Sequence, residues 1–327
     1  MGYQQRREYH AIYGQTENKI SPEGGLLMEL WVVVTIIAAT AQTIRTAIQR
    51  QMKGALGDYG ASAIRFIYAV PFSLIWLLYV LWYFDHSIPQ LTFPFFLWLA
   101  VGGLSQIIFT VFLVKLFSYK NFVVGVAFSK TEVLLVAILE ALILSIAINL
   151  QFAIAIVIGT ISVIMLSLKE NLLSFREIRT GLQSRSTGIG LLAGVALALS
   201  VVGFRAAIDA LASDELMVRA ATAGALGVTG QALVMVGYLF MFRKQELIAS
   251  LSEWKPGVLT GVFATTATGS WFIAFAMHSG AAVRAVGQIE LVLSIAITIL
   301  AFKQKITKIE LTGVILLLAS ILLVVLN

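Results

Sequence analysis

FVVGVAFSKTEVLLVAILEALIL, Phe122 to Leu144, is long and apolar enough to cross a bilayer, yet it carries Lys130, Thr131 and Glu132 inside it. A hydrocarbon core about 30 Å thick takes roughly 20 helical residues rising about 1.5 Å each, so Lys130 and Glu132 fall near mid-depth. Charge at that depth costs at least a few kcal/mol unless it faces a partner or an aqueous space. On one helix the two side chains stand about 200° apart and do not pair simply with each other. Each is therefore expected to find a partner on another helix.

The rest of the chain has the same character. Of its 327 residues 59% are hydrophobic and 12% charged, and the mean hydropathy is +0.92. That is far too apolar for a soluble globular protein. The chain has no cysteine, which removes disulfide frameworks, zinc ribbons and thiol nucleophiles. His10, His86 and His278 are scattered and form no metal set. GIGLLAG, Gly188 to Gly194, follows no strand and opens a membrane span, so it carries no dinucleotide reading. No enzyme signature and no cofactor motif is found. The pI of about 9.5 reflects basic residues in short loops between apolar runs, a positive-inside pattern that points to lipid rather than nucleic acid as partner.

Window by window, apolar spans run at about Leu27 to Ile48, Ala61 to Phe84, Phe93 to Leu116, Phe122 to Leu144, Leu150 to Leu168, Gly190 to Leu211, Leu216 to Phe242, Gly257 to Met277, Ala281 to Phe302 and Glu310 to Leu326. Continuous apolar runs exclude a β-barrel, which needs alternation. Residues 1–26 are polar and read as a disordered tail. The longest polar break, 169–187, reads as a linker between five-span units at 27–168 and 188–327. Pro71 inside the second span is expected to kink it.

The halves repeat weakly. At an offset of 160, Ala38, Arg45, Ala47 and Ile48 meet Ala198, Arg205, Ala207 and Ile208; at 158, Glu132 meets Glu290. An odd number of spans per unit would turn the second unit upside down. The expected fold is thus all-α, ten membrane helices in two inverted five-helix repeats around a central cavity, with a substrate site near mid-membrane.

With QTIRTAIQ opening the first half and FVVGVAFSKTE in the fourth span, the chain resembles the EamA-like branch of the drug/metabolite transporter superfamily over about Met28 to Leu326. The resemblance implies transport of a small polar or amphipathic metabolite such as an amino acid, in many members outward, across a bacterial inner membrane. Glu290 matches the glutamate of the family's ninth span, but Leu291 stands where proline is common. A lipid or lipid-linked sugar flippase of similar architecture, and a scaffold that transports nothing, are the alternative readings.

The candidate substrate and coupling residues are Lys130, Glu132, Glu290, Gln288, Ser129 and Trp271. Lys130 would hold a substrate carboxylate, and Glu132 or Glu290 would exchange a proton or bind an amine. A purely structural Lys130 to Glu290 ion pair is the bland alternative. Arg45 and Arg205, at matching repeat positions, are candidate gates or clasps. Arg65 and Arg284 lie near span ends and are expected to snorkel to headgroups. Basic loops follow the odd-numbered spans, which places that face in the cytoplasm and the termini opposite; the family resemblance implies termini inside.

Overall fold

A computed structural model of the chain describes residues 22–116, 129–167, 185–293 and 308–326. It is an all-α bundle. The helices are α1 (Pro22–Ile67), α2 (Ala69–Tyr83), α3 (Phe93–Leu116), α4 (Glu132–Ile143), α5 (Leu150–Ser167), α6 (Arg185–Asp209), α7 (Leu216–Phe242), α8 (Lys244–Ser252), α9 (Trp254–Met277), α10 (Gly280–Gly287) and α11 (Lys308–Val325).

The ten-span, inverted-repeat expectation is corrected here. Among the described residues five stretches are long and apolar enough to span a membrane: Leu30–Tyr83, Phe93–Leu116, Thr187–Asp209, Leu216–Phe242 and Trp254–Met277. No inverted pairing of five helices with five is evident. The first two expected spans run together into one helical stretch, and the fourth, fifth, ninth and tenth meet only shorter helices, α4, α5, α10 and α11. Polar residues interrupt the runs that hydropathy averages over. The chain turns at Lys130 and Thr131, and again at Gln288, before helix resumes at residues 289–293. The loop alternation counted on ten spans loses its frame with this correction. Of the expected tail, 1–26, residues 1–21 lie outside the described residues and 22–26 are helical, opening α1; most of the linker and residues 122–128 and 294–302 also lie outside the described residues.

Two breaks shape the long stretch. Gly57 adopts φ 72°, a conformation that a side chain resists, and a Cβ there would lie 2.8 Å from the Glu246 carboxyl of α8. That carboxylate accepts from the backbone amides of Tyr59 at 3.0 Å and Gly60 at 2.9 Å. It thereby caps the helix that restarts after the kink, as a side chain does at an N-terminus whose first amides lack partners. Gln49 reaches across the kink to the Ala61 carbonyl at 2.7 Å. The second break, at Tyr68, falls three residues before Pro71, whose ring and missing N–H oppose an unbroken helix.

Packing relies on small residues. α3 lies along α6 and α9 along α1. Where α3 meets α6, a Cβ on Gly203 would stand 2.6 Å from the Gly102 amide nitrogen, and one on Gly102 would stand 2.7 Å from the Phe204 ring. Without a hydrophobic driving force between helices in lipid, such close approach is a main source of association. Threonines at 35, 40, 43 and 46 on α1 each donate to the carbonyl four residues back, so hydroxyls in an apolar helix stay satisfied. Outward faces are apolar, with Leu78, Trp82, Leu150 and Leu233 well exposed, as a lipid-facing surface requires. Trp31 is instead buried and stacked on His278 at 4.6 Å.

Gly203→Val should force α3 and α6 apart and lower the melting temperature in detergent by the equivalent of about 1–3 kcal/mol. Thermal unfolding followed by tryptophan fluorescence reads this out; Gly188→Val, where a Cβ meets nothing within 4 Å, should be silent.

Candidate functional site

Glu132 is the first residue of α4, and its side chain is buried. Its Oε1 accepts from Arg284 Nε on α10 at 3.0 Å and from Gln288 Nε2 at 3.1 Å, and Arg284 Nη2 forms a close ion pair with the same oxygen. Arg284 and Gln288 stand four residues apart, so the short helix α10 and the turn that ends it present both donors to one carboxylate. The Arg284 guanidinium lies 4.6 Å over the Trp271 ring of α9, a placement favoured by the negative face of the indole. Close approach of the two elements is allowed by Gly287, where a Cβ would run into the Trp271 ring.

The Trp271 Nε1–H donates to Gln42 Oε1 of α1 at 3.1 Å, and Gln42 Nε2 donates to Glu290 Oε2 at 3.3 Å. Glu290 in turn forms an ion pair with Lys130. Two acid–base pairs, Glu132 with Arg284 and Glu290 with Lys130, are thus joined through Gln42 and Trp271. The amide of Gln42 is used at both ends, which sets its orientation. A cavity of about 10 Å³ bordered by Lys130, Thr160, Gln288 and Ser320 adjoins the cluster. That volume suits about one water molecule rather than a metabolite.

The structure therefore brings Lys130, Glu132, Glu290, Gln288 and Trp271 together, with Ser129 buried beside Lys130. Lys130 and Glu132 each find a partner on another element, as expected. Both reach one cluster because the chain turns between them. Arg205 lies elsewhere. Its Nη1 donates to the Phe275 carbonyl at 3.0 Å, and its Nε stands 3.7 Å from Asp209 and 4.0 Å from Glu140. Glu140 accepts from the amides of Gly280 at 2.7 Å and Ala281 at 2.9 Å and so caps α10. Arg45 is buried on α1, and its surroundings differ from those of Arg205 because no acid pairs with it among the described residues.

Arg284 was expected at the headgroups and is instead the buried partner of Glu132. Arg65 is buried too, donating to Thr110 Oγ1 at 3.2 Å. Reading missed Gln42 as well. Its signal was the polar stripe Gln42, Arg45, Gln49, spaced as one face of a helix.

With span-length apolar helices, a lipid-facing apolar surface and charges gathered inside, the chain is a multi-pass helical membrane protein. Residues 187–326 match the EamA-like transporter family, so that part of the chain is an EamA-type domain, from a superfamily of transporters rather than enzymes. A solved structure described only as a crystal structure of a protein is similar to 91% of this chain over 97% of its own, with a TM-score of 0.64 at 12% identity; at that identity it speaks to fold alone. No curated protein matches the chain. Among the described residues no group of three or more His, Cys, Asp or Glu is placed to hold a metal ion.

Breaking one buried pair should cost far more than removing it whole. Glu132→Leu, which leaves Arg284 without its acid, should lose about 3–5 kcal/mol of stability, whereas Glu132→Leu with Arg284→Met should recover most of it. A double-mutant cycle of unfolding in detergent checks this through the coupling between the two changes.

Proposed function

We propose that the protein is a secondary transporter that moves a small polar or amphipathic metabolite, an amino acid among the candidates, outward across the bacterial inner membrane by alternating access. The observation that carries the reading is the circuit of two acid–base pairs buried between α1, α4, α9 and α10. Ionisable groups at such depth are expensive, and buried pairs bring little net stability, so a membrane protein that keeps them is most simply using them. The EamA-type domain at 187–326 supports transport as the use.

In this reading Glu132 and Glu290 are the proton-exchanging groups. Protonating either releases its cation, Arg284 or Lys130, to meet a substrate anion, and Gln42 and Trp271 pass the change from one pair to the other. Arg205 acts as a clasp on the moving helices. We place the boundary between two units in the polar stretch 169–187, a division that the start of the family match at Thr187 supports.

The test is flux. Metabolite profiling of cells with and without the protein nominates solutes, and proteoliposomes with an imposed pH gradient measure them. Glu132→Gln and Glu290→Gln keep side-chain shape and amide hydrogen bonding and should leave folded protein with flux at background, or flux that no longer responds to the gradient. Unchanged, gradient-driven flux in both variants removes the glutamates from the mechanism.

A further inference from the structure

Arg45 carries a buried charge that no acid answers among the described residues. It faces inward on α1, 3% exposed, on the same helix face as Gln42 and Gln49, and its Nε has no hydrogen-bond partner. The charges acting around it are positive: Arg284 bears on Arg45, and Arg45 on Arg65. Arg284 has Glu132. Among the described residues Arg65 has the Thr110 hydroxyl and the Phe66 ring, 4.8 Å from its guanidinium, and its Nε has no hydrogen-bond partner.

The acids of the surrounding elements are engaged elsewhere. Glu132 holds Arg284, Glu290 holds Lys130, Glu140 caps α10, Glu246 caps the restarted α1, and Asp58 pairs with Lys53 at 3.1 Å. The stretches 117–128 and 294–307, which flank these elements in sequence, contain no Asp or Glu. Among the described residues, three buried cations, Arg45, Arg65 and Arg284, and the partly buried Lys130 thus share two paired acids, Glu132 and Glu290. A guanidinium keeps its proton in a protein, so burial does not relieve the imbalance by neutralising it. Among the described residues no further acid is placed to answer these charges, and a bound anion would supply the missing negative charge.

We propose that Arg45 is the binding point for an oxyanion, a carboxylate or phosphate group, with the Arg65 charge reinforcing it. The fork of a guanidinium matches such groups through two parallel hydrogen bonds. Lys130, to which the sequence assigns a carboxylate, already holds Glu290. The inference deepens the transporter reading and rests on it for the anion's being part of the cargo; the binding itself rests on the charge balance.

The test uses the full chain in phosphatidylcholine nanodiscs, followed by thermal unfolding. The probes are acetate, succinate and L-leucine, each beside its amide, together with inorganic phosphate and, separately, nanodiscs containing phosphatidylglycerol. At least one oxyanion source should raise the melting temperature by about 2 °C or more over its control. That gain should vanish in Arg45→Gln and persist in part in Arg45→Lys. Without any probe, Arg45→Gln should melt no lower than the parent, because it deletes an unanswered charge. A shift with phosphatidylglycerol alone assigns the oxyanion to lipid; a shift with the acids assigns it to a soluble molecule.

The proposal is overturned if no oxyanion source shifts the parent, if acids and amides act alike, if Arg45→Gln keeps the gain, or if it melts well below the parent without probe. Binding at Arg45 with no flux in proteoliposomes would leave this inference standing and remove the transporter reading. Flux of a neutral or cationic solute untouched by Arg45→Gln would do the reverse.

Discussion

An ionised side chain inside lipid has to be answered by an opposite charge, and the interior of this protein is arranged around that demand. Glu132 meets Arg284 and Glu290 meets Lys130, and neither pair is local in sequence. For both to form, α1, α4, α9 and α10 have to come into register at one place, since Gln42 and Trp271 bridge the pairs through contacts of ordinary hydrogen-bond length. Desolvation makes each pair a poor source of net stability and a severe loss when half broken. The cluster therefore acts on the fold mainly by penalising arrangements that separate its members.

That register depends on close backbone approach, which side chains would prevent. Gly287 makes room for the Trp271 ring, Gly280 lets the Glu140 carboxylate reach the first amides of α10, and Gly102 with Gly203 brings α3 against α6. Two of the carboxylates that cap helix starts, Glu140 at α10 and Glu246 after the Gly57 kink, come from other elements, whereas Glu215 caps α7 from the chain just before it. Each lets a helix begin inside the bundle without orphaned amides. Short, broken helices at the centre follow from this, and they are what lets charged residues face one another.

The cluster also draws on both parts of the chain. Trp271, Arg284, Gln288 and Glu290 lie within the EamA-type domain, whereas Gln42, Lys130 and Glu132 come from the residues before it. A shift of one part against the other would act first on the contacts that cross between them, which include both ion pairs.

Much of this was visible along the chain. Lys130, Glu132 and Glu290 stand out because an ionisable residue in an apolar run is conspicuous without any knowledge of its neighbours. Arg284 was misread, since distance from the end of an apolar run suggests headgroups and only the folding of α10 against α4 buries it. The span count failed because a hydropathy average passes over the turns at Lys130 and Gln288 and over the kink that joins the first two runs into Leu30–Tyr83. Membrane residence and the presence of ionisable residues within apolar runs are determined by the sequence alone, since hydropathy and charge belong to each residue and add along the chain. Which charge answers which, and which one is left over at Arg45, was decided only by the tertiary structure, because pairing depends on where backbone breaks let distant helices meet.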